Sequence, residues 1–203
     1  TGPLFGEQVY PSASINTSGG YLVWQDNITD GDPAGISALK LDGSLSATLS
    51  TFRVNGVATG LQERPAVSVL NNGGAAFIWL GGSIGFQHVY GRFFSPTGWV
   101  TGDVLINAST NQFQSEASIT TLTNGNVVAT WSSASQVSPT SMKDVYFQIL
   151  TPTGQKFGGE NLVNQTTAYN QRSAAVAPLS DGRFVVVWFS EQQRFENSVD
   201  LFG

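Results

Sequence analysis

The chain has 203 residues, a net charge of −5, charged residues at only 11% and no cysteine. A disulfide framework, thiol chemistry and cysteine-type zinc sites are therefore excluded, and an acidic chain with three lysines argues against a nucleic-acid partner. No apolar run approaches the roughly 18 residues that a spanning helix needs, so no membrane insertion is expected.

The chain opens with Thr1-Gly2-Pro3-Leu4-Phe5-Gly6-Glu7-Gln8, which parallels the later Thr153-Gly154-Gln155-Lys156-Phe157-Gly158-Gly159-Glu160. Ile15 then precedes a turn at Thr17-Ser18-Gly19-Gly20 and an apolar run that ends at Trp24. The next loop concentrates Asp26, Asn27, Asp30 and Asp32. Oxygen ligands at this density could hold calcium, but the segment lacks the twelve-residue pattern of a dedicated calcium loop. A solvated turn is the simpler reading. A third strand is expected over Ile36 to Leu41, and a fourth ends at Arg53-Val54-Asn55.

The same order recurs. Leu70, the turn Asn72-Gly73-Gly74 and the run to Trp79 open a second unit; Leu122, Asn124-Gly125-Asn126 and Trp131 open a third; Leu179, Asp181-Gly182-Arg183 and Trp188 open a fourth. The four tryptophans are 55, 52 and 57 residues apart. Asn-Gly and Asp-Gly tolerate the positive φ that tight hairpins need. Third strands follow at Val89 to Phe94 and Val145 to Leu150, closed by Ser95-Pro96-Thr97-Gly98 and Thr151-Pro152-Thr153-Gly154. Fourth strands end at Asn107 and Asn164. Asn55, Asn107 and Asn164 each lie 24 residues before the next tryptophan.

Four antiparallel strands repeated radially make a β-propeller blade. The expected fold is all-β: a single domain over residues 1–203, four-bladed, with repeats at about 10–55, 64–107, 116–164 and 173–203. The last unit stops in its third strand. Residues 1–9 could complete it, a neighbouring chain could, or the chain could be part of a larger propeller. The repeating tryptophans are expected between blades, each indole N–H bonded to a backbone carbonyl.

Arg172 to Trp188, together with Val145-Tyr146-Phe147-Gln148, Pro152-Thr153-Gly154 and Leu162-Val163-Asn164, resembles the propeller-forming tandem repeats of large secreted bacterial proteins. Such repeats often accompany hemolysin-type calcium-binding or cell-surface modules. The resemblance implies a secreted or cell-surface propeller that binds or scaffolds, with no catalytic residues. The calcium nonapeptides of the companion modules are absent, so a calcium role does not transfer and no cofactor is expected.

Few side chains suggest chemistry. His88 is the sole histidine, so neither a histidine triad nor a histidine zinc site is available in its usual form. Trp99 falls outside the repeat. With Arg92 it could stack on a sugar or anchor a partner, or simply pack locally. Glu63, Glu116, Glu191 and Glu196 are the acids a glycosidase pair would draw on. Sequons stand at Asn16, Asn27, Asn107 and Asn164. The leading expectation is a non-enzymatic extracellular binding, adhesion or structural module, whose partner is a surface protein, a glycan or a second copy through the incomplete last blade. A lectin-like carbohydrate-binding propeller is the alternative. A glycan-active enzyme comes third, because ionisable groups are scarce.

Overall fold

The structure is a computed structural model, and it describes residues 6–31, 34–139, 141–191 and 199–203. The chain folds as a four-bladed β-propeller, with no helix among the described residues. Blade 1 contains β1 (Gln8–Asn16), β2 (Gly19–Asp26), β3 (Gly35–Asp42) and β4 (Phe52–Arg53). Blade 2 contains β5 (Leu61–Val69), β6 (Ala75–Gly82), β7 (His88–Ser95), β8 (Gly98–Trp99) and β9 (Val104–Leu105). Blade 3 contains β10 (Gln114–Thr121), β11 (Val127–Ala134), β12 (Lys143–Leu150) and β13 (Lys156–Leu162). The last sheet contains β14 (Gln171–Pro178), β15 (Phe184–Ser190) and β16 (Asp200–Phe202). Each sheet is an antiparallel meander, and the first strands pack in sequence, β1 on β5, β5 on β10 and β10 on β14.

Three of the four opening hairpins share one turn. Leu70, Leu122 and Leu179 accept the N–H of Gly73, Gly125 and Gly182, and these glycines have φ of 79°, 89° and 89°. The Asn72, Asn124 and Asp181 side chains accept the N–H two residues on. Only the glycine is left-handed, so this is a type I turn closed by a glycine bulge, not a two-residue turn with both central φ positive.

Second strands are apolar on both faces because each lies between two neighbouring blades. Tyr21, Val23, Ile36 and Val54 meet Val67, Phe77 and Trp79 between blades 1 and 2. Ile78, Leu80, Phe93 and Ile106 meet Ile119, Trp131 and Leu150 between blades 2 and 3. Val145 meets Ala174, Val186 and Trp188 between blades 3 and 4. Trp79, Trp131 and Trp188 therefore each face the preceding blade, and Trp24 closes a small cluster with Leu39 and Leu41. The indole partner differs from expectation. Trp79 Nε1 donates to Gln62 Oε1 at 2.8 Å and Trp188 Nε1 to Gln171 Oε1 at 3.1 Å. A first-strand glutamine takes the place of a backbone carbonyl.

The repeating asparagines are latches. Asn55, Asn107 and Asn164 are buried, and their Oδ1 atoms accept the N–H of Ile36, Val89 and Val145 at 2.9, 2.8 and 2.7 Å. Their Nδ2 atoms donate to the carbonyls of Val57, Ser109 and Thr166. Each Nδ2 also meets a second acceptor: Asp30, His88 Nδ1 or Asp144. The sequons at Asn107 and Asn164 are thus closed to glycosylation in the folded chain, because both ends of each amide are engaged in the interior.

His88 Nδ1 must accept from Asn107 Nδ2, since Asn107 Oδ1 is spent on Val89 N–H, so its proton sits on Nε2. Burial pushes its pKa below the ordinary 6.5. The unfolded chain then takes the proton more readily, so the stability this residue contributes is full above the unfolded pKa and is lost as pH falls from there through the lower folded pKa. The expected NMR titration midpoint of His88 lies below 6.5; a midpoint at or above that value would refute the assignment.

Gln8 and Val9 belong to blade 1, where they pair with Asp26 and Gln25. Glu7 N donates to Asn27 Oδ1 at 2.9 Å, so residues 6–9 run along that blade's own loop. Residues 1–5 lie outside the described residues. Phe202 faces Trp188 as Tyr146 faces Trp131, and Tyr146 pairs with Leu162 on its other side. Aligning Gln8 with Glu160 would put Tyr10 in the place of Leu162, and Tyr10 already lies within β1.

Candidate functional site

Every first strand carries a β-bulge at the same place. Register shifts fall between Val9 and Ser12, Glu63 and Ala66, Ser115 and Ser118, and Arg172 and Ala175. Inside each bulge one non-glycine residue is left-handed: Tyr10 at φ 51°, Arg64 at 50°, Glu116 at 56° and Ser173 at 56°. Such a backbone costs about 1–3 kcal/mol per residue and persists only where its surroundings impose it. Part of what imposes it is visible. Arg64 N donates to Gln25 Oε1 at 3.2 Å, and Ser173 N to Ser132 Oγ at 3.2 Å. Gln25 and Ser132 each follow the repeating tryptophan of the preceding blade.

The four bulges converge. Tyr10, Arg64, Glu116 and Ser173, with Pro11, Pro65, Ala117 and Ala174, line an open pocket of about 390 Å³. A pocket walled by all four first strands lies at the mouth of the propeller axis.

Its chemistry is divided. On one side the Arg64 guanidinium lies 4.4 Å from the Tyr10 ring centroid, and Arg64 Nη2 donates to the Tyr10 hydroxyl at 3.3 Å. Both side chains are exposed. On the other side Glu116 Oε2 accepts from Ser132 Oγ at 2.9 Å and Ser173 N at 3.0 Å, and Lys143 Nζ is 3.7 Å from Oε1. Burial acts to raise the Glu116 pKa, but Ser132, the Lys143 charge and Ser173 together outweigh it and hold it below the usual carboxylate range. Glu116 is therefore an ionised acceptor at neutral pH. The mouth thus offers a guanidinium fork with an aromatic ring opposite a carboxylate.

The residues singled out from the sequence fall elsewhere. Trp99 is partly buried and packs against Phe52, Phe77 and Phe94, and the Arg92 guanidinium lies 4.0 Å over its ring. Arg92 also donates to the carbonyls of Val54 and Thr101. The pair plugs the junction of blades 1 and 2. Asp26 caps its own turn through Ile28 N, Thr29 N and Thr29 Oγ1. Asp30 accepts from Asn55, and Asp32 lies outside the described residues. No group of three or more potential metal-ligating side chains occurs among the described residues. Glu191 pairs with Arg172 and Asn170, and Glu63 accepts from Gln87; Glu196 lies outside the described residues. The structure gathers only Glu116 of these acids into the axial pocket with Tyr10, Arg64 and Ser173, which the sequence had not linked. Their one shared mark is position, 15 residues before the tryptophan in three blades and 14 in the first.

No protein-family model matches the chain, and no curated protein sequence matches it. Solved structures do. An endo-arabinase from Bacteroides thetaiotaomicron aligns over 100% of this chain and 76% of its own, at 12% identity and a TM-score of 0.60. A Penicillium chrysogenum alpha-L-arabinanase complexed with arabinobiose aligns over 97% of this chain and 57% of its own, at 17% identity and 0.61. An alpha-L-arabinofuranosidase from Lactobacillus brevis aligns over 93% of this chain and 65% of its own, at 13% identity and 0.56. At these identities the likeness is one of fold. It nevertheless corrects the expectation of a chain that is not an enzyme, because proteins named as glycan-cleaving enzymes share this fold and a scarcity of ionisable groups does not set that chemistry aside.

Proposed function

We propose that this chain is a carbohydrate-handling propeller that holds its glycan at the axial mouth between Tyr10, Arg64, Glu116 and Ser173. The observation that carries the reading is the fourfold convergence of strained, left-handed polar residues on one pocket. Backbone strain at a shared surface point is a mark of a working site. The donor and acceptor sets suit a sugar. Vicinal hydroxyls can accept from the Arg64 fork and donate to ionised Glu116, while the apolar faces of Tyr10, Pro11 and Pro65 meet C–H groups. The arabinan-active names of the fold's relatives support the same ligand class.

The test is calorimetric titration of the chain with arabinobiose and a panel of xylo-, manno- and galacto-oligosaccharides, with reducing ends assayed in the same samples. At least one glycan should bind. Arg64→Ala and Glu116→Gln should each weaken that binding about tenfold or more, the equivalent of about 1.4 kcal/mol. Release of reducing ends that disappears in Glu116→Gln would add turnover to binding. Binding that survives both substitutions, or a blank panel, would overturn the proposal.

A further inference from the structure

A second pocket, of about 420 Å³, lies at the junction of blades 1 and 2. It is walled by the ends of the two opening hairpins, including Asn16 and Ser18 of one and Asn71 and Gly73 of the other. Tyr10 stands near the start of β1 and Asn16 at its end, so this pocket sits at the opposite end of the strands from the axial mouth. Its volume falls in the range of small-ligand sites, about 300–1,000 Å³.

One pair of residues in its wall departs from the repeat. Tyr21 of β2 pairs with Lys40 of β3, where blade 2 pairs Ala76 with Phe93 and blade 3 pairs Val128 with Ile149. A phenol and an ammonium thus stand where the other blades put two apolar side chains. Tyr21 is buried and donates its hydroxyl to the Gly73 carbonyl at 3.3 Å. Burial pushes its pKa up to about 12, so it stays a neutral donor. Lys40 is half-buried, with Nζ 5.8 Å from the centre of the Tyr21 ring.

That ring is the only partner of the Lys40 ammonium among the described residues. Every other described lysine and arginine meets a carboxylate, carbonyl or hydroxyl oxygen. Asp42, the nearest acid in sequence, keeps its carboxylate on the N–H groups of Ser44 and Ser46. A cation that has given up part of its water without gaining an anion favours an anionic ligand.

The neighbouring groups sort into donors and acceptors. Asn16 Oδ1 accepts the Ser18 N–H at 2.8 Å, which leaves Asn16 Nδ2 and the Ser18 hydroxyl to donate. Asn71 Nδ2 donates to the carbonyls of Leu122 and Thr123, which leaves Asn71 Oδ1 to accept, with the Gly73 carbonyl beside it.

We infer that this junction binds a uronic acid residue, with its carboxylate on Lys40 and its hydroxyls on Asn16, Ser18, Asn71 and Gly73. One ammonium balances one carboxylate. A phosphate matches the wall less well. No arginine lines the pocket among the described residues, and the oxygens of Asn71 and Gly73 receive sugar hydroxyls but would repel phosphate oxygens.

The test is NMR titration of the whole chain with sodium glucuronate and sodium galacturonate, beside glucose, galactose and inorganic phosphate. At least one uronate should shift the amides of Asn16, Ser18 and Gly73 and the Lys40 side chain, and should bind at least tenfold more tightly than its neutral sugar. Lys40→Met keeps the aliphatic stem over Tyr21 and should weaken uronate binding at least tenfold. Lys40→Arg keeps the charge and should bind more tightly than Lys40→Met. No shift with either uronate, equal affinity for uronate and neutral sugar, phosphate binding as tight as uronate binding, or binding undiminished in Lys40→Met would overturn the inference. So would shifts confined to the axial mouth. The readout follows amides at the other end of the strands, so it stands whether or not the mouth binds a glycan.

Discussion

Replacing Trp79 by alanine is expected to lower the unfolding free energy by roughly 3–5 kcal/mol, the range for truncating a large buried aromatic side chain. The indole is 1% exposed, sits between Val67, Phe77 and the blade 1 residues Val23 and Val54, and stacks on Tyr90 at 6.3 Å. Truncation opens a cavity at a blade junction. It also strands the Gln62 oxygen, whose partner at 2.8 Å is the indole N–H, and an unmet buried polar group adds to the loss. Trp79→Phe separates the two contributions. It keeps most of the apolar volume and loses the hydrogen bond, so it should cost about 1–3 kcal/mol. Urea unfolding followed by circular dichroism checks both. A Trp79→Ala loss below about 1 kcal/mol would mean that the blade junction collapses around the gap and does not depend on this indole.

The architecture was legible because the residues that announce it are buried and recur at fixed spacing. Trp79, Trp131 and Trp188 fill successive blade junctions, the Asn-Gly and Asp-Gly turns need a left-handed glycine, and Asn55, Asn107 and Asn164 each satisfy one particular backbone N–H. A side chain tied to one geometric task repeats in type as well as place. The axial mouth was not legible for the opposite reason. Tyr10, Arg64, Glu116 and Ser173 share a backbone conformation and a location but no chemistry, and a bulge leaves no residue-type signature. The glutamines that receive the Trp79 and Trp188 indoles were legible in principle, since Gln62 and Gln171 each stand 17 residues before their tryptophan. Trp99 drew notice as an exception to the repeat, yet its burial depends on Phe52 from another blade, a contact between distant segments that no local pattern records.

Asn107→Ala is the second large effect, because one small side chain satisfies groups from a strand and a loop. Its Oδ1 accepts Val89 N–H at 2.8 Å, and its Nδ2 donates to the Ser109 carbonyl at 2.7 Å and contacts His88 Nδ1 at 3.3 Å. The residue is fully buried, and Val89 is too, so water cannot replace what alanine removes there. Leaving a buried N–H and a neighbouring carbonyl unpaired costs about 1–3 kcal/mol each, and the combined loss is expected at roughly 2–4 kcal/mol once partial relaxation is allowed. Asn107→Asp refines the test. The carboxylate can still accept from Val89 N–H, but it turns the second atom from donor to acceptor against the Ser109 carbonyl and buries a charge. It should therefore be no more stable than alanine at neutral pH and should recover as pH falls and the carboxyl becomes protonated. Protonation would restore a donor, although His88 then begins to charge and opposes the gain. Thermal unfolding of the two variants from pH 4 to pH 8 measures this directly. If Asn107→Asp matched the wild type at neutral pH, the Nδ2 donation would be dispensable and the latch would reduce to the single bond at Val89.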